Sequence, residues 1–153
     1  MQTEFRVLTL HRPWPSAILY GSKRIENRSW KPWESVIGQY IAIHAGVKYD
    51  DEAANWMREE GLYDAPYSKS CPIGIVGLVR VTGFYDDTTV IPDDDPWWFG
   101  PVGWKLADPI AFDDPIPCRG TQGLWRVPEA INKTLAEAAD AVTELFKERL
   151  DEK

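Results

Sequence analysis

Cysteine and histidine are scarce in this 153-residue chain, at two each. Cys71 and Cys118 lie far apart and form no C-x-x-C pair, which argues against a disulfide framework and fits a reducing compartment. His11, His44, Cys71 and Cys118 show no zinc-ligand spacing. Asp93, Asp94 and Asp95 lack the alternating ligands and terminal Glu of a calcium loop, so they read as a solvated charged loop. No phosphate loop, dinucleotide fingerprint or nucleophile elbow occurs, and neither a metal nor a cofactor is expected. No apolar run approaches the roughly 18 residues of a membrane span, and the start MQTEFRV has no apolar signal core. A cytoplasmic protein without a membrane partner is expected. Basic residues are the minority charge, 17 against 24 acidic, for a formal net charge of −7. Such a surface repels bulk nucleic acid, because phosphate affinity comes mainly from Lys and Arg.

What is present narrows the choice. The charge is uneven: residues 1–50 carry +3 and residues 51–153 carry −10. Any anion-binding face must come from the N-terminal third, which favours a local, shaped site over a broad basic surface. Hydrophobic residues make up 44% and charged residues 27%, as in ordinary globular domains. One domain over residues 1–153 is the natural count. Eight tryptophans are many for this length. Trp fills cores, and it also supplies flat stacking faces and an N–H donor.

The stretch LTLHRPWPSAILYGSKRIENRSW, Leu8 to Trp30, is the centre of the chain. Arg6 to Leu10 reads as a strand. Pro13 suits a helix start, Trp14, Ile18 and Leu19 fall at helical spacing, and Gly21 suits the stop. Lys23 to Trp30 reads as a second strand, whose alternation puts Arg24, Glu26, Arg28 and Trp30 on one face. Lys23 belongs to the turn after Gly21, from which its amine swings toward Glu26.

Further along, Gln39 to Ala45 is a strand, and Asp50 to Glu60 a helix with Asp50 or Asp51 as N-cap and Gly61 as stop. Pro72 to Tyr85 holds a long strand bent at Gly74, Gly77 and Gly83. Two short strands follow within Trp104 to Ile116, and a last one over Gly123 to Val127. Pro128 opens a C-terminal helix whose apolar stripe includes Ile131, Leu135, Val142, Leu145, Phe146 and Leu150, with a break near Asp140. This pattern predicts an α+β domain, a small mixed β-barrel with flanking helices and a C-terminal helix, with a core over about 6–128 and a helical extension over 129–153.

Lys23, Glu26 and Arg28 carry the richest chemistry. Arg28 has a planar fork for phosphate or carboxylate. Glu26 can accept protons from a base edge or act on water as a general base, and Lys23 can stabilise developing negative charge. The plain alternative is a salt-bridged strand surface. His11 and Arg12 sit where the first strand gives way to the helix, a place that favours anions, and Ser16 adds a hydroxyl donor. His44 is either an acid–base group or a hydrogen-bonded structural residue. Trp97, Trp98 and Phe99 form either a base-stacking surface or a lid packed on the barrel. Trp14 and Trp30 flank the motif, as an aromatic wall for a flat ligand or as core.

Gly21, Lys23, Glu26 and Arg28 also spell G-x-K-x-x-E-x-R. After an apolar strand and a Pro-Trp helix start, this resembles the ASCH family. PWWFGPVGW (Pro96 to Trp104) and CRGTQGLWRVP (Cys118 to Pro128) are similar to later parts of longer bacterial and phage ASCH proteins, so the resemblance covers about residues 6–128. It implies a PUA-like fold associated with RNA, with the Lys23–Arg28 motif lining a pocket at the barrel mouth. Some small members resemble amidohydrolases acting on N4-acetylcytidine through a Lys, a Thr and a Glu. Lys23 matches the Lys, Glu26 stands at the Thr position, and the Glu has no placed counterpart. Other members imply ribonuclease activity, for which Lys23 or His44 would serve as acid or base and Arg28 would hold the phosphate. The first expectation is therefore an RNA-, nucleotide- or modified-nucleoside-binding protein. A hydrolase and a protein-interaction module using the C-terminal helix are the alternatives.

Overall fold

The computed structural model describes residues 2–151. Six strands, β1 (Arg6–Arg12), β2 (Ile25–Arg28), β3 (Tyr40–Tyr49), β4 (Gly74–Tyr85), β5 (Val102–Ile116) and β6 (Leu124–Arg126), form one mixed sheet of order β2-β5-β4-β3-β1-β6. β1 and β3 pair in parallel; every other pair is antiparallel. Three helices complete the α+β fold: α1 (Trp14–Tyr20), α2 (Asp51–Glu59) and α3 (Glu129–Asp151). None of them is long and apolar enough to cross a membrane.

Alternation along the strands sends neighbours into different cores. Leu8, Ile41, Val76 and Val79 enter one cluster with Trp104 and Ile18, while Val7, Ala42, Ile75 and Leu78 enter another, which Leu135 and Ala139 of α3 cover. A third cluster joins Ala17 of α1, Ile25 of β2 and Met57 of α2 to Trp97.

The hydrogen-bonded ladder is open, ending at β2 and β6. It is nevertheless strongly curled. β2 and β1 are four strand positions apart, about 19 Å on a flat sheet at ~4.8 Å per strand. Yet Arg28 Nη2 on β2 donates to Thr9 O on β1 at 3.4 Å.

Several local expectations hold. Asp50 caps α2, its carboxylate accepting from Ala53 N at 2.9 Å, and Gly61 follows the helix at φ +67°. Lys23 precedes β2 and lies in the turn. Two expectations need correction. The pair of short strands within 104–116 is one 15-residue strand, β5, because register shifts along its pairing with β4 absorb the interruptions. The C-terminal helix has no break near Asp140; only its packing stops there. Leu135 and Ala139 are buried, whereas Val142, Leu145, Phe146 and Leu150 are exposed.

Candidate functional site

The turn that ends α1 feeds Lys23 inward. Gly21 N and Lys23 N both donate to Ala17 O, which closes the helix and starts the approach to β2. Arg24 does not join the Lys23–Glu26–Arg28 cluster. Its guanidinium donates back to the carbonyls of Ile18, Gly21 and Lys23 and ties off the helix end. Lys23 is left almost wholly buried, at 1% exposure, with Glu26 at 8%.

A continuous chain of ion pairs results. Lys23 Nζ lies 3.2 Å from Glu26 Oε1 and also donates to Ile25 O, while Arg28 Nε donates to Glu26 Oε2 at 3.2 Å. Each carboxylate oxygen thus faces one cation. Burial pushes the Lys23 ammonium below its ordinary value of 10.5, because desolvation penalises the charged form; the attraction of Glu26 opposes this without cancelling it. The Trp14 ring centroid, 5.3 Å from Lys23 Nζ, adds a cation–π contact.

Trp14, Lys23, Glu26, Asn27 and Phe99 line a cavity of about 200 Å³ open to solvent. At roughly 30 Å³ per water, it has room for several waters or one flat ring system. Its aromatic side is layered. Trp97, 2% exposed, packs edge-on against Trp14 at 6.4 Å and Trp56 at 5.6 Å, and Trp56 meets Phe99 at 5.3 Å. Phe99 is the exposed outer ring, at 58%. Asn27 fixes this loop to β2: its amide nitrogen donates to Trp97 O, and its oxygen accepts from Phe99 N and Gly100 N.

Lys23, Glu26, Arg28 and Trp14 therefore come together, with Trp97 behind them. The other sequence candidates lie elsewhere. Arg12 is buried, and its guanidinium donates to the carbonyls of Gly46, Val47, Ser68 and Cys71, which leaves no edge for an anion. Ser16 is buried beside Cys71 Sγ at 3.7 Å. Trp30 packs on Trp104, whose indole donates to Trp30 O. Trp98 packs on Tyr85. His11 and His44 line a different cleft. His44 has both ring nitrogens engaged: Nε2 donates to Cys118 O at 2.9 Å, and Nδ1 faces Thr9 Oγ1 at 3.2 Å.

Asn27 and Trp56 were not anticipated. Asn27 falls on the strand face opposite Glu26, and only its partners some 70 residues away give it a task. Trp56 stands one position before the buried Met57 of α2, on the shoulder of the apolar stripe, and that placement was the available signal.

No protein-family model matches the chain, and no curated protein matches it.

Proposed function

We propose that this chain binds RNA or a nucleotide by holding one unstacked base in the Lys23–Glu26 pocket of a PUA-like scaffold. The observation that carries the reading is a buried, oppositely charged pair facing a small opening beside an exposed aromatic ring. Glu26 accepts from exocyclic amines, Lys23 donates to base carbonyls, and Phe99 offers a face worth about 1–3 kcal/mol in stacking. Single-stranded or flipped bases suit such a pocket, since duplex RNA hides its sequence-bearing edges. The curl that brings Arg28 to Thr9 supports a barrel-like reading of the open sheet. A thermal-shift screen against nucleosides, nucleotides and short single-stranded RNAs tests the reading. Ligand at 100 times its dissociation constant adds about 2.7 kcal/mol of stability. Absence of any shift at low salt removes the proposal.

One observation favours a hydrolase. A fully buried lysine whose proton affinity is lowered by desolvation is a fitting base for water or for a ribose 2′-hydroxyl. For an N4-acetylated cytosine, Lys23 in its deprotonated form would take a proton from the attacking water and pass it to N4 as the acetyl C–N bond breaks, releasing acetate and cytidine, while Glu26 accepts from the N4 amide N–H. Incubation with N4-acetylcytidine, and separately with RNA, distinguishes the two chemistries. Intact acetylated nucleoside and intact RNA after long incubation leave binding alone.

A further inference from the structure

The block CRGTQG between β5 and β6 plays no part in the pocket just described. It runs over the sheet face at the C-terminal ends of β1 and β3, and it walls a second cleft of about 400 Å³. Its position is tightly set. Cys118 O accepts from His44 Nε2, and Thr9 Oγ1 accepts from Trp125 Nε1 at 3.0 Å while facing His44 Nδ1. Gly120 lies flat on this assembly: a Cβ there would fall 2.7 Å from His44 Cε1 and 2.8 Å from Thr9 Oγ1. His44 is thus the peg on which the loop hangs.

The cleft has an unusual electrostatic character for so acidic a protein. His11, Lys48 and Arg119 are exposed along it, and no Asp or Glu side chain lines it. None of the three forms an ion pair among the described residues. In addition, among the described residues no protein acceptor takes the backbone N–H of Arg119, Gly120, Thr121 or Gln122. N–H groups without a protein acceptor, on a fixed loop beside Lys48 and Arg119, offer donors and positive charge to an anion.

We propose that this cleft binds a phosphate group, in a site separate from the Lys23–Glu26 pocket. Arg119 supplies the planar fork, Lys48 the compact charge, and the loop N–H groups the remaining donors. The phosphate belongs either to a free phosphorylated small molecule or to the backbone of a nucleic acid strand. The site stands on its own residues and does not depend on the occupant of the first pocket.

Amide NMR titration of the full chain tests this with two probes, inorganic phosphate and a 5′-hydroxyl hexauridylate that carries only internal diesters. Shifts at residues 46–48 and 119–122 are expected; with the oligonucleotide, any shifts at residues 23–28 and 97–100 report the first pocket and are scored separately. A response to phosphate alone identifies a phosphomonoester or free-anion site, and a response to the oligonucleotide identifies a backbone site. Arg119→Glu and Lys48→Glu, both at exposed positions, each weaken the response at least tenfold with unchanged melting temperature. No shift with either probe, equal shifts from sodium chloride at matched ionic strength, or an Arg119→Glu protein that titrates like the parent overturns the proposal.

Discussion

Lys23 Nζ and Glu26 Oε1 lie 3.2 Å apart with both side chains withdrawn from solvent. A buried pair of this kind is costly to break and often inexpensive to replace. Removing one member leaves a desolvated charge, at about 3–5 kcal/mol, whereas apolar replacement of the whole pair is often neutral or stabilising. Glu26→Ala should therefore destabilise the fold by about 3–5 kcal/mol, because Lys23 is left buried beside Arg28. A Lys23→Met, Glu26→Leu double variant should recover most of that loss. Urea denaturation of the three proteins checks it; a double variant weaker than Glu26→Ala would mean that the pair stabilises the fold in its own right.

The same lysine has a pH signature. Its folded-state proton affinity is lowered by burial, so between that lowered value and 10.5 the unfolded chain holds a proton the folded chain has lost. Stability contributed by this group must then rise with pH across the window and level off above 10.5. Lys23→Met deletes the slope. The stability difference between parent and variant, followed from neutral pH to about 10, should move in favour of the parent. A difference independent of pH would show that Lys23 does not titrate differently on folding.

Asn27 holds the aromatic loop through three hydrogen bonds to backbone groups of residues 97, 99 and 100. Asn27→Ala should cost about 1–3 kcal/mol, with the damage local to residues 95–101. Hydrogen exchange of the Phe99 and Gly100 amides reads this directly. Base binding should weaken with it, since Phe99 loses its fixed position over the cavity. Unchanged exchange at both amides would place the loop's rigidity in the tryptophan packing instead.

Arg12 is a buried structural clamp. Its guanidinium gathers four carbonyls from the end of β3 and the 68–71 turn. Arg12→Met should cost at least ~3 kcal/mol, since several charge-assisted hydrogen bonds vanish together. Arg12→Lys should recover little, because a single ammonium cannot reproduce the planar fork. Melting temperatures of both variants settle the point, and a lysine variant as stable as the parent would contradict it.

These residues also mark what a sequence can reveal. The Lys23–Arg28 cluster was legible because its logic is local: a glycine stop, a turn, then charges two and three residues apart. Arg12 was not. It reads as an anion ligand at a helix start, and its true partners sit 34 to 59 positions away. Residues 104–116 read as two short strands from sequence, whereas register shifts against β4 let one strand run through. The continuity of α3 past Asp140 follows from its Ala-, Glu-, Leu- and Lys-rich composition, which sustains a helix without burial. Open edges at β2 and β6 leave no local trace, because curling depends on pairings across the whole sheet.

That pairing pattern has a kinetic side. β1 takes a parallel neighbour from residues 42–49 and an antiparallel one from residues 124–126. Among the described residues, β2, which carries Glu26 and Arg28, has residues 102–105 as its sole ladder partner. Contacts of such sequence separation require large loops to close before they are rewarded, which slows folding. On the ribosome, β2 must wait for about 75 further residues before it can pair, whereas β1 finds β3 much sooner and waits only for its second neighbour, β6. The Lys23–Glu26 cavity cannot be completed until β5 is made, so a nascent chain can hold α1, α2 and the β3–β4 pair before β2 has its ladder.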